Sequence, residues 1–275
     1  MRTALLTLLA LIAFAANSIL CRLALAQGAL DAGSFTVLRL AAGAASLALV
    51  LRLQRRAPAG DWLSALALLL YAAPFAFAYN TLSAGTGALV LFGAVQITMI
   101  STGLGQGERP RPREWAGVAA AVAGLVTLVR PGLAAPSMVG ALSMAVAGIA
   151  WGVYSLRGRG TPHAVAATAG NFLRAVPFAL LLGLATLRFT HFSRRGVLLA
   201  LVSGAVTSGL GYVAWYAALR GLTATRAATA QLVVPLLTAF AGVLFLGEHV
   251  TSRVIVAAVL ILGGVLVVAR ARTAA

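Results

Sequence analysis

Acidic residues are scarce: five occur in 275, against 21 basic ones. Asp31, Asp61, Glu108, Glu114 and Glu248 all fall in loops or at the borders of apolar runs. That placement excludes a membrane-embedded carboxylate of the sort that carries protons or sodium. The single cysteine, Cys21, excludes an intramolecular disulfide framework. Three scattered histidines, His163, His191 and His249, make no metal cluster, so no metal and no other cofactor is expected. The glycine-rich stretch Gly103-Leu104-Gly105-Gln106-Gly107 closes an apolar run with no strand before it, which excludes a phosphate-cradling loop and ATP hydrolysis within the chain. No constellation of nucleophile, base and metal can be assembled, so the chain is not expected to be an enzyme.

Charge of either sign is also sparse, at 9% of residues, while 61% are apolar and the mean hydropathy is +0.98. A water-soluble fold of this length could not cover its surface with so few polar groups, so the chain belongs in lipid. The net charge of +16 does not point to nucleic acid: the basic residues, all arginines, stand singly or in small groups between apolar runs, as membrane-flanking charges do.

Ten apolar segments lie between charged or turn-rich borders, each near the roughly 20 residues that cross a bilayer core. They are residues 4–20, 35–51, 62–79, 85–104, 115–129, 138–156, 164–187, 197–219, 227–246 and 254–269. None alternates with a period of two, so helices are expected rather than a β-barrel. Arg2 followed by an apolar run with Ala13-Phe14-Ala15 resembles a signal peptide, but the run continues to Leu20 and is expected to be retained as the first span. With the N-terminus inside, thirteen arginines fall on the cytoplasmic side and six outside, so both termini are expected in the cytoplasm. The loop from Arg188 to Arg195 runs against this rule.

The chain also repeats itself. Residues 86–130 lie over residues 226–270 without a gap at an offset of 140, and eight of the 45 pairs are identical. These include Gly107-Glu108 with Gly247-Glu248, Arg113 with Arg253, Gly124 with Gly264, and Arg130 with Arg270. Two units of five helices, residues 1–132 and 133–275, would enter the membrane in opposite senses, because five is odd. The expected fold is an all-α membrane protein of ten transmembrane helices in two inverted five-helix repeats, with a site near the midplane between them.

Several features together carry a family resemblance: the Trp151-Gly152 pair, Arg39 and Arg174 in the second and seventh helices, Pro235 in the ninth, and the two Gly-Glu pairs. The chain resembles, over essentially its whole length, the drug/metabolite transporter superfamily, in particular its ten-helix bacterial exporters. Within it, the aromatic amino acid exporters are the subgroup it is most similar to. The resemblance implies a bacterial inner membrane, export of amino acids, other metabolites or drugs, and a central role for the fourth and ninth helices. Two departures stand out. Val95 lies opposite Pro235, and Phe14-Ala15 lies opposite Trp151-Gly152, so the halves need not contribute equally.

The residues themselves offer three classes of candidate. A central arginine costs about 2.5–3.5 kcal/mol on insertion scales, so Arg39 and Arg174 either meet a substrate carboxylate or snorkel to headgroups and helix-end carbonyls. The amides Asn17, Gln96, Asn171 and Gln231 lie well inside the first, fourth, seventh and ninth spans, where each needs a partner from a neighbouring helix, water or substrate. Tyr79, Trp151, Tyr212 and Trp215 could line a pocket that stacks on a flat side chain. Met99, one turn from Gln96, suits an adaptable wall or ordinary packing. Pro235 is the candidate hinge, with Pro74 and Pro177 as further kinks.

The expected function is alternating-access export of small amphipathic metabolites, amino acids with aromatic or bulky apolar side chains first, by facilitated diffusion through a monomer in the lipid bilayer. The alternatives are a proton-coupled multidrug or metabolite exporter, with His163 as the proton-coupling candidate, and a non-transport membrane protein such as a lipid scramblase.

Overall fold

A computed structural model describes residues 2–26, 28–105, 112–129, 136–159, 161–222, 227 and 230–273. The repeat's Gly107-Glu108 pair, Arg130 and Arg226 lie outside them. The described residues form the helices α1 (Arg2–Leu25), α2 (Ala32–Leu53), α3 (Trp62–Ala78), α4 (Ala84–Gly105), α5 (Pro112–Val129), α6 (Met138–Gly158), α7 (Ala164–Ala185), α8 (Arg194–Leu219), α9 (Val233–Leu246) and α10 (Ser252–Thr273). No strand occurs among the described residues; one isolated bridge pairs Leu30 with Phe192. Helices α1, α2, α6, α7 and α8, with residues Ala84–Thr102 of α4, are long and apolar enough to cross a membrane; α3, α9 and the stretches Trp115–Gly124 of α5 and Ser252–Gly264 of α10 are shorter apolar helices.

Helices α2 and α8 begin three residues ahead of their apolar segments, because caps as well as hydropathy set where a helix starts. Asp31, Asp61, Ser137 and Ser193 each accept a hydrogen bond from the backbone N–H three residues on, satisfying first-turn donors that lipid cannot solvate. Gly247, at φ 64°, ends α9 in the left-handed conformation that glycine adopts at least cost. Pro235 interrupts the helix before it. Residues 230 and 231 are helical, Leu232 is a turn, and α9 resumes at Val233, since the proline ring removes the N–H that the Gln231 carbonyl would have accepted.

Packing places α1 against α8 and α9, α2 against α7 and α8, and α3 against α6, α7 and α2. Helix α4 lies between α6 and α9, and α5 and α10 pack on each other. Small residues make these approaches possible. A Cβ on Gly148 of α6 would collide with the Leu91 backbone of α4, and one on Gly204 of α8 would collide with the Arg39 carbonyl of α2.

The middle of α8 departs from α-helical geometry. Residues Ser203–Leu210 form a π-helical stretch between the α-helical pieces Arg194–Val202 and Gly211–Leu219. Its i→i+5 winding places Ser203, Thr207, Ser208 and Tyr212 on one side, toward α1 and α2, and such stretches concentrate at functional sites.

Candidate functional site

The hydroxyl groups of that π stretch converge on Asn17 of α1. Ser203 donates to its Oδ1 at 2.7 Å, Thr207 at 3.1 Å and Ser208 at 3.5 Å, while its Nδ2 donates to the Tyr71 hydroxyl of α3 at 3.3 Å. Arg39 of α2 joins the same groups. Its Nε donates to the Ser208 hydroxyl at 2.8 Å, and its Nη2 donates to Tyr212 at 2.7 Å and Tyr71 at 3.1 Å. Its guanidinium carbon lies 5.0 Å from the centroids of both the Tyr71 and Phe75 rings. One network thus ties four helices together around a cation that is 1% exposed.

The guanidinium is neither neutralised nor fully bonded. The ion pairs of the described residues, Arg22–Glu248 and Arg157–Asp61, lie elsewhere, and Nη1 of Arg39 has no hydrogen-bond partner. Hydroxyl oxygens and ring faces solvate such a charge but do not cancel it, and one donor edge of the guanidinium is left open.

Beside the network stands an aromatic group. The Trp151 ring of α6 lies 4.8 Å from Tyr212, 5.0 Å from Tyr71 and 5.2 Å from Phe14, and it stacks on Tyr154 at 5.7 Å with an interplanar angle of 29°. Its indole N–H donates to Gln231 Oε1 at 3.0 Å, beside the Leu232 break. Trp215 meets Phe14 edge-on at 5.6 Å, and its own indole N–H has no acceptor.

Asn17, Arg39, Trp151, Tyr212, Trp215 and Gln231 therefore come together. The other candidates do not join them directly. Tyr79 lies at one end of α3, reached from Tyr71 through Phe75, and its hydroxyl donates to the Ala84 carbonyl at 3.4 Å. Asn171 lies at the other end, where its Oδ1 accepts the Asp61 N–H at 3.1 Å; the connection before α3 dips toward α7 to reach it. Arg174 serves the same connection, donating to the Ala59 and Gly170 carbonyls at 2.9 and 3.0 Å with its guanidinium carbon 5.8 Å from the Trp62 ring centroid. Arg174 thus takes the carbonyl-bonding alternative. Gln96 and Met99 are buried on α4. Tyr71, Phe14 and the hydroxyls at 203, 207 and 208 are not singled out by the sequence. The one signal was three hydroxyls at intervals of four and one inside an apolar span.

Each end of α3 is closed by an ion pair, and its 17 residues set the two about 25 Å apart. At the first end, Asp61 Oδ1 accepts from Arg157 Nη2 at 2.8 Å and from the Ser64 N–H at 2.9 Å, and Oδ2 accepts the Ser64 hydroxyl at 2.7 Å. Burial on its own would raise the Asp61 pKa, but the two Ser64 bonds and the Arg157 charge outweigh it and hold the carboxyl below its usual range. At the far end, Arg22 Nε donates to Glu248 Oε1 at 3.1 Å and Nη1 to the Tyr79 carbonyl at 2.8 Å, while Glu248 Oε2 accepts the Ala84 N–H at 2.7 Å at the start of α4. Among the described residues no group of three His, Cys, Asp or Glu side chains could hold a metal ion.

Residues 138–270, the stretch from α6 through most of α10, match the EamA-like transporter family. An uncharacterized protein of Pseudomonas aeruginosa is 52% identical over 267 residues, covering 96% of this chain and 93% of its own. The stretch from α6 onward is an EamA-like transporter domain. That domain, together with the helices long and apolar enough to cross a bilayer, makes the chain a multi-pass membrane protein. A solved crystal structure at 21% identity superposes with a TM-score of 0.67 over 97% of this EamA-like chain and 96% of its own, which speaks for a shared fold.

Proposed function

We propose that this EamA-like protein exports small amphipathic metabolites, amino acids with aromatic or bulky apolar side chains first among them, by alternating access. The observation that carries this reading is the buried Arg39 with its open Nη1 edge, set beside the rings of Tyr71, Trp151 and Tyr212. A carboxylate on Nη1 would complete the charge, and an aromatic or branched body would displace ring–ring contacts for ring–substrate contacts of similar worth. The site is closed in this state, with Arg39, Trp151 and Tyr212 at most 2% exposed, so entry requires the helices to separate. The ion pairs at the two ends of α3 are suited to open in turn, each while the other stays closed.

The same reading places ten spans in two inverted repeats, both termini in the cytoplasm of a bacterial inner membrane, and a monomer as the working unit. The acids of the described network ends, Asp61 and Glu248, are engaged in caps and ion pairs, which favours facilitated diffusion over carboxylate-based proton exchange.

The experiment is flux into proteoliposomes holding the purified protein, with labelled phenylalanine, leucine and aspartate, with and without a proton gradient. Gradient-independent flux of phenylalanine or leucine, lost in Arg39→Gln, is the expected result. Flux only under the gradient would overturn the facilitated mechanism, and no flux of any amino acid would overturn the substrate class.

A further inference from the structure

At the end of the bundle that holds Arg2, two adjoining grooves run between α1, α2, α7 and α8. They enclose about 690 Å³ and 380 Å³ and share Arg2, Leu6 and Ala217. The rim is cationic and comes from separate regions of the chain: Arg2 at the start of α1, Arg56 after α2 and Arg220 after α8. Arg56 Nη1 donates to His163 Nδ1 at 2.8 Å, and Arg220 Nη1 donates to the Pro162 carbonyl at 3.3 Å, so both side chains are tethered to the connection before α7. A guanidinium only donates, so Nδ1 of His163 is the acceptor and its ring proton sits on Nε2, a further donor. No acidic residue lines either groove among the described residues, and Asp61, on the other side of Pro162 and His163, is occupied by Arg157.

Below the rim the walls are apolar: Leu6 of α1, Val165 of α7, and Leu210, Val213 and Ala214 of α8. From Arg220 to Leu210 is ten helical residues, a depth of about 15 Å, which is half the roughly 30 Å core of a bilayer and so the reach of one leaflet. A positive rim over an apolar slot one leaflet deep fits one class of molecule, with a phosphodiester at one end and a hydrocarbon chain at the other.

We infer that this groove binds one anionic phospholipid, its phosphate held by Arg2, Arg56 and Arg220 and one acyl chain laid against Leu6, Leu210 and Val213. The charge complementarity selects the lipid. A zwitterionic headgroup brings a cation of its own to a rim that already carries three, whereas phosphatidylglycerol brings only the anion. Bound there, the lipid would bridge α1, α2, α7 and α8 at the end where α1 begins.

The test is native mass spectrometry of the delipidated full-length protein, offered phosphatidylglycerol or phosphatidylcholine with matched acyl chains. Retention of one phosphatidylglycerol, at least about 5-fold preferred, is expected. Arg56→Gln and Arg220→Gln should each lower its retention about 5-fold, the weight of one arginine near an anionic surface. Ala214→Phe, which fills the slot and leaves the charges, should lower it as well. Arg188→Gln with Arg194→Gln, at the opposite end of the bundle, should leave it unchanged. Equal retention of both lipids, an equal loss in the opposite-end variant, or displacement of the lipid by soluble glycerol phosphate would each overturn the proposal. The last would mean a free-anion site rather than a lipid site.

Discussion

Gly124 of α5 and Gly264 of α10 are packed reciprocally. A Cβ on Gly124 would lie 3.0 Å from the carbonyl oxygen of Ala257, and a Cβ on Gly264 would run into the carbonyl oxygen of Gly117. Residues 117 and 257 stand 140 apart, as do 124 and 264, so each helix offers the other the same two positions. Such an exchange relates these two helices locally by a two-fold. Gly264→Val is expected to destabilise the protein by about 1–3 kcal/mol by forcing the backbones apart. Gly263, which meets nothing within 4 Å, should tolerate the same change. Thermal unfolding in detergent decides it, and equal losses at the two neighbours would sink the idea.

Arg39 and Arg174 are expected to separate in function. A hydrogen bond to a charged group is worth about 1.5–3 kcal/mol, so Arg39→Gln should cut flux roughly 10–100-fold. Arg174, bonded to the Ala59 and Gly170 carbonyls, should cost mainly stability. Initial flux rates in proteoliposomes, normalised to folded protein, give the comparison. A loss of flux in Arg174→Gln as large as in Arg39→Gln would contradict it.

Asn17 gathers three hydroxyls and donates to a fourth, across α1, α8 and α3. Interhelical hydrogen bonds in membranes average about 0.6 kcal/mol and reach about 1.7. Asn17→Leu, of similar size but without bonding capacity, is expected to cost about 1–3 kcal/mol, and Ser203→Ala less than half of that. Unfolding followed by tryptophan fluorescence is the measurement, since Trp151 and Trp215 stand close to the network. Indifference to Asn17→Leu would show that packing alone holds α1 to α8.

Asp61 gives the pH dependence. Its folded pKa is lowered from the ordinary 3.8, so the stability it confers is fully present above that value. It is lost as pH falls through the folded pKa, when the proton displaces Arg157 and the Ser64 cap. Unfolding temperatures measured at pH 6, 5, 4 and 3 should fall more steeply for the wild type than for Asp61→Asn below pH 4. The side chains are 49% and 36% exposed, so the difference is expected to be small. Parallel curves for the two proteins would remove Asp61 from the account.

Composition was enough to set the solvent and the class of element. With 61% apolar residues and 9% charged ones, most side chains have to face lipid or each other, and lipid permits only structures that satisfy their own backbone. The approximate segments were legible too, because an apolar run's length is a local property, and so was the 140-residue echo, because identity needs no fold to be seen. Helix ends were less legible: the helices capped by Asp31 and Ser193 start three residues before the apolar segments they carry. Which candidates meet is a matter of packing in three dimensions. Asn17 and Ser203 are 186 residues apart and Arg39 and Tyr212 are 173 apart, and neither hydropathy nor spacing relates such pairs. Arg39 and Arg174 look alike in sequence, each an arginine inside an apolar run. Only the packing of α2 against a π-wound α8 buries one among hydroxyls, while the other reaches the carbonyl of Ala59.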